Sequence, residues 1–161
     1  MGSVKNSGFC EWFLKKIYVN QDYCIGCGIC EVFCTVQHST SKDLIKAYKK
    51  ESPKPLSCVR IDKCLPTSFS VQCKHCEDPP CVIACLSGAM TKDEKTGVVI
   101  HNPDKCMGCW TCIMVCPFGA IKMDLNRKKV TAKCDLCQGL EIPACVANCP
   151  NEALMFKEVV I

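Results

Sequence analysis

The run Cys106-Met-Gly-Cys109-Trp-Thr-Cys112-Ile-Met-Val-Cys116-Pro117 spells C-x₂-C-x₂-C-x₃-C-P without a gap, and nothing else in the chain restricts its fold as strongly. Three thiols two residues apart can sit on one tight loop and wrap a corner of a four-iron, four-sulfur cube. The fourth, carried on the following helical turn, points away toward a neighbouring cube. One such run therefore implies two clusters. A lone C-x-x-C would say little, because zinc ribbons and thiol-redox sites share it; the continuous triplet with its Cys-Pro ending is far more specific.

The chain carries 19 cysteines in 161 residues, a fraction that leaves either a disulfide framework or a metal scaffold. It opens Met-Gly-Ser-Val-Lys-Asn with no apolar signal region, and its cysteine count is odd. Both features favour ligands over disulfides. No run is long and apolar enough to span a bilayer, and the C-terminal Glu158-Val-Val-Ile161 carries no anchor. The expectation is a soluble, cytoplasmic protein of a reducing, anaerobic setting. With two Trp, three Tyr and six Phe, each half would struggle to bury enough apolar surface to fold alone. Clusters must staple it, so removing iron should unfold it. The formal charge of +4 counts every thiol as neutral. If each ligated cube carries roughly −2, four of them bring the total to about −4. The basic balance is thus no argument for nucleic acid, and no basic strip interleaved with aromatics is present.

Residues 1–15 read as a disordered leader, ahead of a first strand at Lys16-Ile-Tyr-Val19. A second complete run follows, Cys24-Ile-Gly-Cys27-Gly-Ile-Cys30-Glu-Val-Phe-Cys34, in which Gly26 and Gly28 suit a sharply turning backbone close to inorganic sulfide. Ser41 to Lys50 is patterned as a short amphipathic helix closed by Pro53 and Pro55. Its lysines read as solvated surface. A third run, Cys73-Lys-His-Cys76-Glu-Asp-Pro-Pro-Cys81-Val-Ile-Ala-Cys85, widens the middle gap to four residues. His75 lies between two ligands and reads as a hydrogen-bonding neighbour of a cluster sulfur. Ala89 to Lys92 and Val98 to His101 form a hairpin with Gly97 at the exit of its turn. Gly119 to Met123 and Lys129 to Ala132 form another, with the turn at Leu125 to Lys128. The fourth run is Cys134-Asp-Leu-Cys137, a seven-residue gap, then Cys145-Val-Ala-Asn-Cys149-Pro150. A short strand at Ala153 to Phe156 ends the pattern. Sixteen cysteines are consumed, and Cys10, Cys58 and Cys64 are left as free thiols.

Four ligand runs separated by hairpins make a quasi-duplicated ferredoxin unit rather than a solenoid. Each run's fourth cysteine serves another run's cluster, so the runs must pair. Four runs allow three pairings, and spacing alone does not choose among them. From Lys16 to Phe156 the chain resembles the four-cluster, ferredoxin-type electron-transfer subunits of molybdenum or tungsten oxidoreductases, formate dehydrogenases, hydrogenases and CO dehydrogenases. The runs quoted above carry that likeness, together with Ser41-Lys-Asp-Leu44 and Val71-Gln-Cys73. It looks closest to the iron-sulfur subunit of CO dehydrogenase. The resemblance implies an α+β fold of two pseudo-symmetric bacterial-ferredoxin-like modules, with short hairpins and helices around four 4Fe-4S clusters. Residues 16–65 with 130–161 would form an outer module and 66–129 an inserted inner one. It also implies the ligand sets Cys24, Cys27, Cys30 and Cys149; Cys34, Cys134, Cys137 and Cys145; Cys73, Cys76, Cys81 and Cys116; and Cys85, Cys106, Cys109 and Cys112.

Electron transfer is the function these features suggest, between a catalytic redox subunit and a second redox protein, with no catalysis by the chain itself. His38, His75 and His101 stand apart. No nucleophile-and-base pair, phosphate-binding loop or nicotinamide motif is evident. Two rival readings use the same cysteines. A zinc-binding regulatory protein would space its pairs far apart rather than crowd three thiolates and export a fourth. An iron-sulfur enzyme would need an open iron site, which sixteen ligands in four complete sets leave no room for.

Overall fold

The computed structural model describes residues 13–64, 66–124 and 129–160. Cys10, the leader up to residue 12 and the turn at 125–128 lie outside them. Secondary structure is short throughout, as expected of a chain whose cysteines must be delivered by loops. β1 (Phe13–Val19) pairs antiparallel with β8 (Leu154–Val160), with Ile17 opposite Phe156. The two ends of the chain thus close on each other. Ile17 and Leu154 are buried while Tyr18, the neighbour of Ile17, is exposed, as adjacent residues on opposite faces of a half-buried ribbon are.

α1 (Ile29–Gln37) follows the first ligand loop, and α2 (Leu44–Lys49) begins where Asp43 accepts the Lys46 amide at 2.9 Å. That N-cap starts the helix three residues later than the amphipathic pattern alone suggests. β2 (Arg60–Cys64) and β3 (Thr67–Val71) form a hairpin that hydrophobic alternation does not reveal. Its inward residues include Ser68 and Ser70, not apolar side chains, and the Ser68 hydroxyl donates to the Cys24 carbonyl at 2.7 Å. α3 (Pro80–Ile83), β4 (Met90–Lys92), β5 (Val99–His101) and α4 (Thr111–Met114) come next. The hairpin of β4 and β5 agrees with its sequence pattern, Gly97 turning at φ 65°. β6 (Lys122–Asp124) pairs with β7 (Lys129–Ala132), so its first strand lies toward the end of the expected span. α5 (Ala144–Ala147) precedes β8.

Packing gathers around two apolar cores. The larger joins Ile17, Val59, Val98, Ala132, Leu136 and Leu154 to Cys30, Cys34, Cys58, Cys134 and Cys145. The smaller joins Met90, Val99 and Ile121 to Cys81 and Cys112. α1 packs against α5 in the first, and α3 against α4 in the second. Thiols are therefore a structural part of both cores. No described helix is long and apolar enough to cross a membrane.

Candidate metal centres

All four ligand loops turn the same way. The residue before the second cysteine has positive φ in each: Gly26 at 64°, His75 at 46°, Gly108 at 76° and Leu136 at 59°. The glycines take this conformation without penalty, whereas His75 and Leu136 each pay about 1–2 kcal/mol for it. Tertiary contacts hold them there. His75 Nδ1 accepts the Val99 amide at 3.0 Å, and Leu136 is buried in the larger core. Nothing in the residue types at 75 and 136 announces the turn; only their position in the repeat does.

The third cysteine of each run lies inside the short helix that follows: Cys30 in α1, Cys81 in α3, Cys112 in α4 and Cys145 in α5. The fourth comes four residues on, on the same face and displaced by about one turn along the axis, which carries it beyond the first three thiols of its run. Three hollows gather these thiols. One of about 370 Å³ is lined by Cys24, Cys27 and Cys30 together with Cys149. Another, of about 340 Å³, is lined by Cys73, Cys76 and Cys81 together with Cys116. In the third, of about 290 Å³, Cys85 meets Cys106, Cys109 and Cys112. A larger hollow of about 810 Å³ has no cysteine in its wall, so size is not what marks a thiol site. Cys34, Cys134, Cys137 and Cys145 are all buried. They are near enough that Cys145 senses charge on Cys34 and Cys137, and Cys134 senses Cys145.

These thiols suit a thiolate-bound metal centre. No described cysteine is in a disulfide. Burial foremost pushes Cys30 and Cys145 up to about 12 and Cys112 up to about 11, with nearby thiols adding to the effect. A cation reverses this preference by stabilising the thiolates outright. Sulfur lone pairs also find donors: the Cys73 sulfur accepts the His75 amide at 3.4 Å and Cys85 the Met90 amide at 3.4 Å. Such bonds fix ligand orientation and tune a bound cluster.

Cys34 has neighbours that spacing did not foretell. Its sulfur accepts the Cys58 amide at 3.2 Å, and Cys34, His38 and Cys58 place their ligand atoms within 4.8 Å of one another. Cys58, unpaired in the sequence pattern, thus lies against the last thiol of the first run; Cys64 is exposed. The Cys58 thiol first, and His38 after it, hold Cys34 down at about 4. His38 donates from Nδ1 to the Cys34 carbonyl at 2.8 Å and from Nε2 to Asp135 at 3.2 Å. Two donors require the imidazolium. Asp135 foremost, then Cys34, raises its pKa to about 11.

The 4Fe-4S dicluster domain model matches residues 66–159, and the 4Fe-4S binding domain model matches residues 17–37. The chain is 36% identical over 160 residues to an iron-sulfur protein of Rhodospirillum rubrum, covering 89% of this chain and 82% of that protein. It is 34% identical over 156 residues to the electron transport protein HydN of Escherichia coli strain K12, covering 88% and 86%. Among solved structures, a chain of the BamBC active site complex of benzoyl coenzyme A reductase superposes with a TM-score of 0.52. At 22% identity over 92% of this chain and 80% of that one, the likeness is one of fold alone. On a family model that spans more than half of the sequence, and on relatives matched along nearly all of it, the chain belongs to the 4Fe-4S dicluster, ferredoxin-type family of iron-sulfur electron transport proteins.

Proposed function

We propose that this chain is a non-catalytic electron-transfer subunit, holding four 4Fe-4S clusters as a wire between a catalytic redox subunit and a second redox protein. The proposed ligand sets are Cys24, Cys27, Cys30 and Cys149; Cys34, Cys134, Cys137 and Cys145; Cys73, Cys76, Cys81 and Cys116; and Cys85, Cys106, Cys109 and Cys112. One observation carries this reading: the hollow of the first run borrows its fourth thiol, Cys149, from the last run. A sequential pairing of runs offers no such neighbour. The packing of α1 on α5 and of α3 on α4 supports the same arrangement. When bound, each cube accepts and passes on one electron.

Exposure suggests where electrons enter and leave. Cys27 and Cys109 are open to solvent, whereas the four thiols of the Cys34 set are buried. The sets of Cys27 and Cys109 would be the ends of the wire and the other two its middle. Resemblance favours CO dehydrogenase as the catalytic partner, with a formate dehydrogenase, a hydrogenase or a molybdenum or tungsten oxidoreductase as the alternative. Capture of the native complex from an anaerobic extract decides between them by the catalytic subunit that accompanies the chain. The ligand sets are tested by Cys116→Ser. It should perturb the cluster of Cys73, Cys76 and Cys81; spectroscopic loss confined to the cluster of Cys106, Cys109 and Cys112 would contradict the pairing.

A further inference from the structure

Between the two cores lies a lysine that ligand spacing leaves unexplained. Lys133 stands between β7 and Cys134 and is 7% exposed. Its Nζ donates to the Val99 carbonyl at 2.8 Å, on the side of the smaller core, and to the Cys134 carbonyl at 2.7 Å, on the side of the larger. No described carboxylate pairs with it. An ammonium withdrawn from water without an anion is costly, so a counter-charge must come from elsewhere.

Val99 is held from its other side as well. Its amide donates to Nδ1 of His75, which is 1% exposed and sits between Cys73 and Cys76. Because Nδ1 accepts, the ring is the neutral tautomer with its proton on Nε2. The imidazole therefore adds no charge, and Lys133 is the cation of the buried described residues. Its field reaches thiols of both cores. On one side Lys133 adjoins Cys134, and on the other Val99 lines the hollow of Cys73, Cys76, Cys81 and Cys116. Cys73 itself packs against the larger core that holds Cys134.

We propose that Lys133 sets the potential of the middle of the wire: its ammonium, held between the Cys34 set and the Cys73 set, favours the reduced state of the clusters bound by both. The inference rests on the ligand sets proposed above. The step is a one-electron reduction of each cluster, the electron coming from the redox partner, with no bond to Lys133 made or broken. Added negative charge in a dry interior is stabilised by a nearby fixed cation. Lys133 acts through the cluster environment and is not a ligand.

The test is a redox titration of the iron-loaded full chain, followed by electron paramagnetic resonance, for wild type, Lys133→Met, Lys133→Gln and Lys133→Arg. In both neutral variants, two of four centres should become harder to reduce by at least about tenfold in equilibrium constant, or 59 mV for one electron. The other two should stay in place, and Lys133→Arg should keep the wild-type pattern. Gln retains a donor for the two carbonyls, so it decides the matter if the Met variant does not fold. Should neither neutral variant load iron, a displaced potential in Lys133→Arg would itself overturn the proposal. Unmoved centres in a fully loaded neutral variant, or an equal shift of all four, would also overturn it while leaving the four-cluster reading standing. A wild-type chain that binds fewer than four clusters would bring down both.

Discussion

The thiols around α1 and those around α4 occupy equivalent places in the ligand pattern and different physical environments. α1 is nine residues long and holds both Cys30 and Cys34 within it, each buried. α4 is four residues long, so Cys112 is buried but Cys116 lies beyond its end and Cys109 is exposed before it. Polar ties surround the first region. Glu31 accepts the Ile61 amide at 2.6 Å, and His38 bridges Cys34 to Asp135. Apolar side chains meet solvent near both helices, Ile25 before α1 and Met107 and Met114 around α4, and Cys27 before α1 is exposed like Cys109 before α4. Helix length thus separates a run whose fourth thiol is insulated, Cys34, from one whose fourth thiol is half-buried, Cys116.

Removing iron should have the largest effect and should strike the insulated region hardest. Cysteines make up five of the eleven buried residues of the larger core and two of the five in the smaller. Without metal, their raised pKa values keep Cys30, Cys112 and Cys145 protonated through neutral pH. Anaerobic chelation should abolish the far-UV helical signal cooperatively, with hydrogen exchange lost first in α1 and α5; an unchanged spectrum would count against stapling. The pH sign follows from the same shifts. Each buried thiol must release a proton to bind iron, so reconstitution should be weaker at about pH 6 than at about pH 9. Equal iron retention at both would contradict it.

A second contrast comes from two single substitutions. Cys34→Ala should remove the acceptor that the Cys58 amide faces in a closed interior, costing about 2–3 kcal/mol of unfolding free energy and most of one cluster's iron. Cys109→Ser should cost less, although it also removes a proposed ligand, because its exposed side chain leaves no buried donor without a partner. Denaturant unfolding and iron analysis of the two variants side by side make the comparison, which fails if Cys109→Ser is the more damaging.

Backbone substitutions should act less strongly. Gly26 and Gly28 both have positive φ, at 64° and 79°, but a Cβ at 26 would approach Ser68 Oγ to 3.0 Å, whereas one at 28 would meet nothing within 4 Å. Gly28→Ala should therefore cost about 1 kcal/mol of conformational strain alone. Gly26→Ala should cost about 2 kcal/mol, because it also presses on the hydroxyl that binds the Cys24 carbonyl. Equal melting curves for the two would show that the Ser68 contact yields freely.

How far the sequence discloses this arrangement depends on what kind of signal each part leaves. Ligand runs are written in residue type and spacing, and so the thiol loops are legible at once. The β4–β5 hairpin and the closing strand β8 are legible because Val98-Val99-Ile100 and Leu154-Met155-Phe156 are short apolar runs bounded by turn residues such as Gly97 and Asn151. The β2–β3 hairpin is not, since Ser68 and Ser70 occupy the inward face that hydrophobic patterning looks for. His75 and Leu136 reveal nothing of their left-handed turns, which long-range contacts impose. Cys58 and Lys133 are opaque for a related reason. Each gains its meaning from a partner 24 or 34 residues distant, Cys34 in one case and Val99 in the other.

The smallest effect separates two of the four outgoing cysteines, Cys34 and Cys85. Cys85 has Ser87 at 3.8 Å and the Met90 amide near its sulfur, whereas Cys34 has a charged histidine tied to Asp135. The folded pKa of His38 is raised to about 11 from an ordinary 6.5, so its contribution is complete below about pH 6.5 and is lost as pH climbs toward 11. Asp135 is lowered, first by His38, so its share is present above the usual carboxylate range and disappears as pH falls below it. Between those limits Asp135→Asn should cost about 0.5 kcal/mol, discounted because Asp135 is partly exposed. Asn can still accept the Cys137 amide that Asp135 binds at 2.8 Å, which confines the change to charge. Urea unfolding of the iron-loaded protein should show that deficit near pH 6 and its disappearance by about pH 11. A deficit constant across the range would mean that Asp135 serves Cys137 alone and that His38 owes its charge to Cys34.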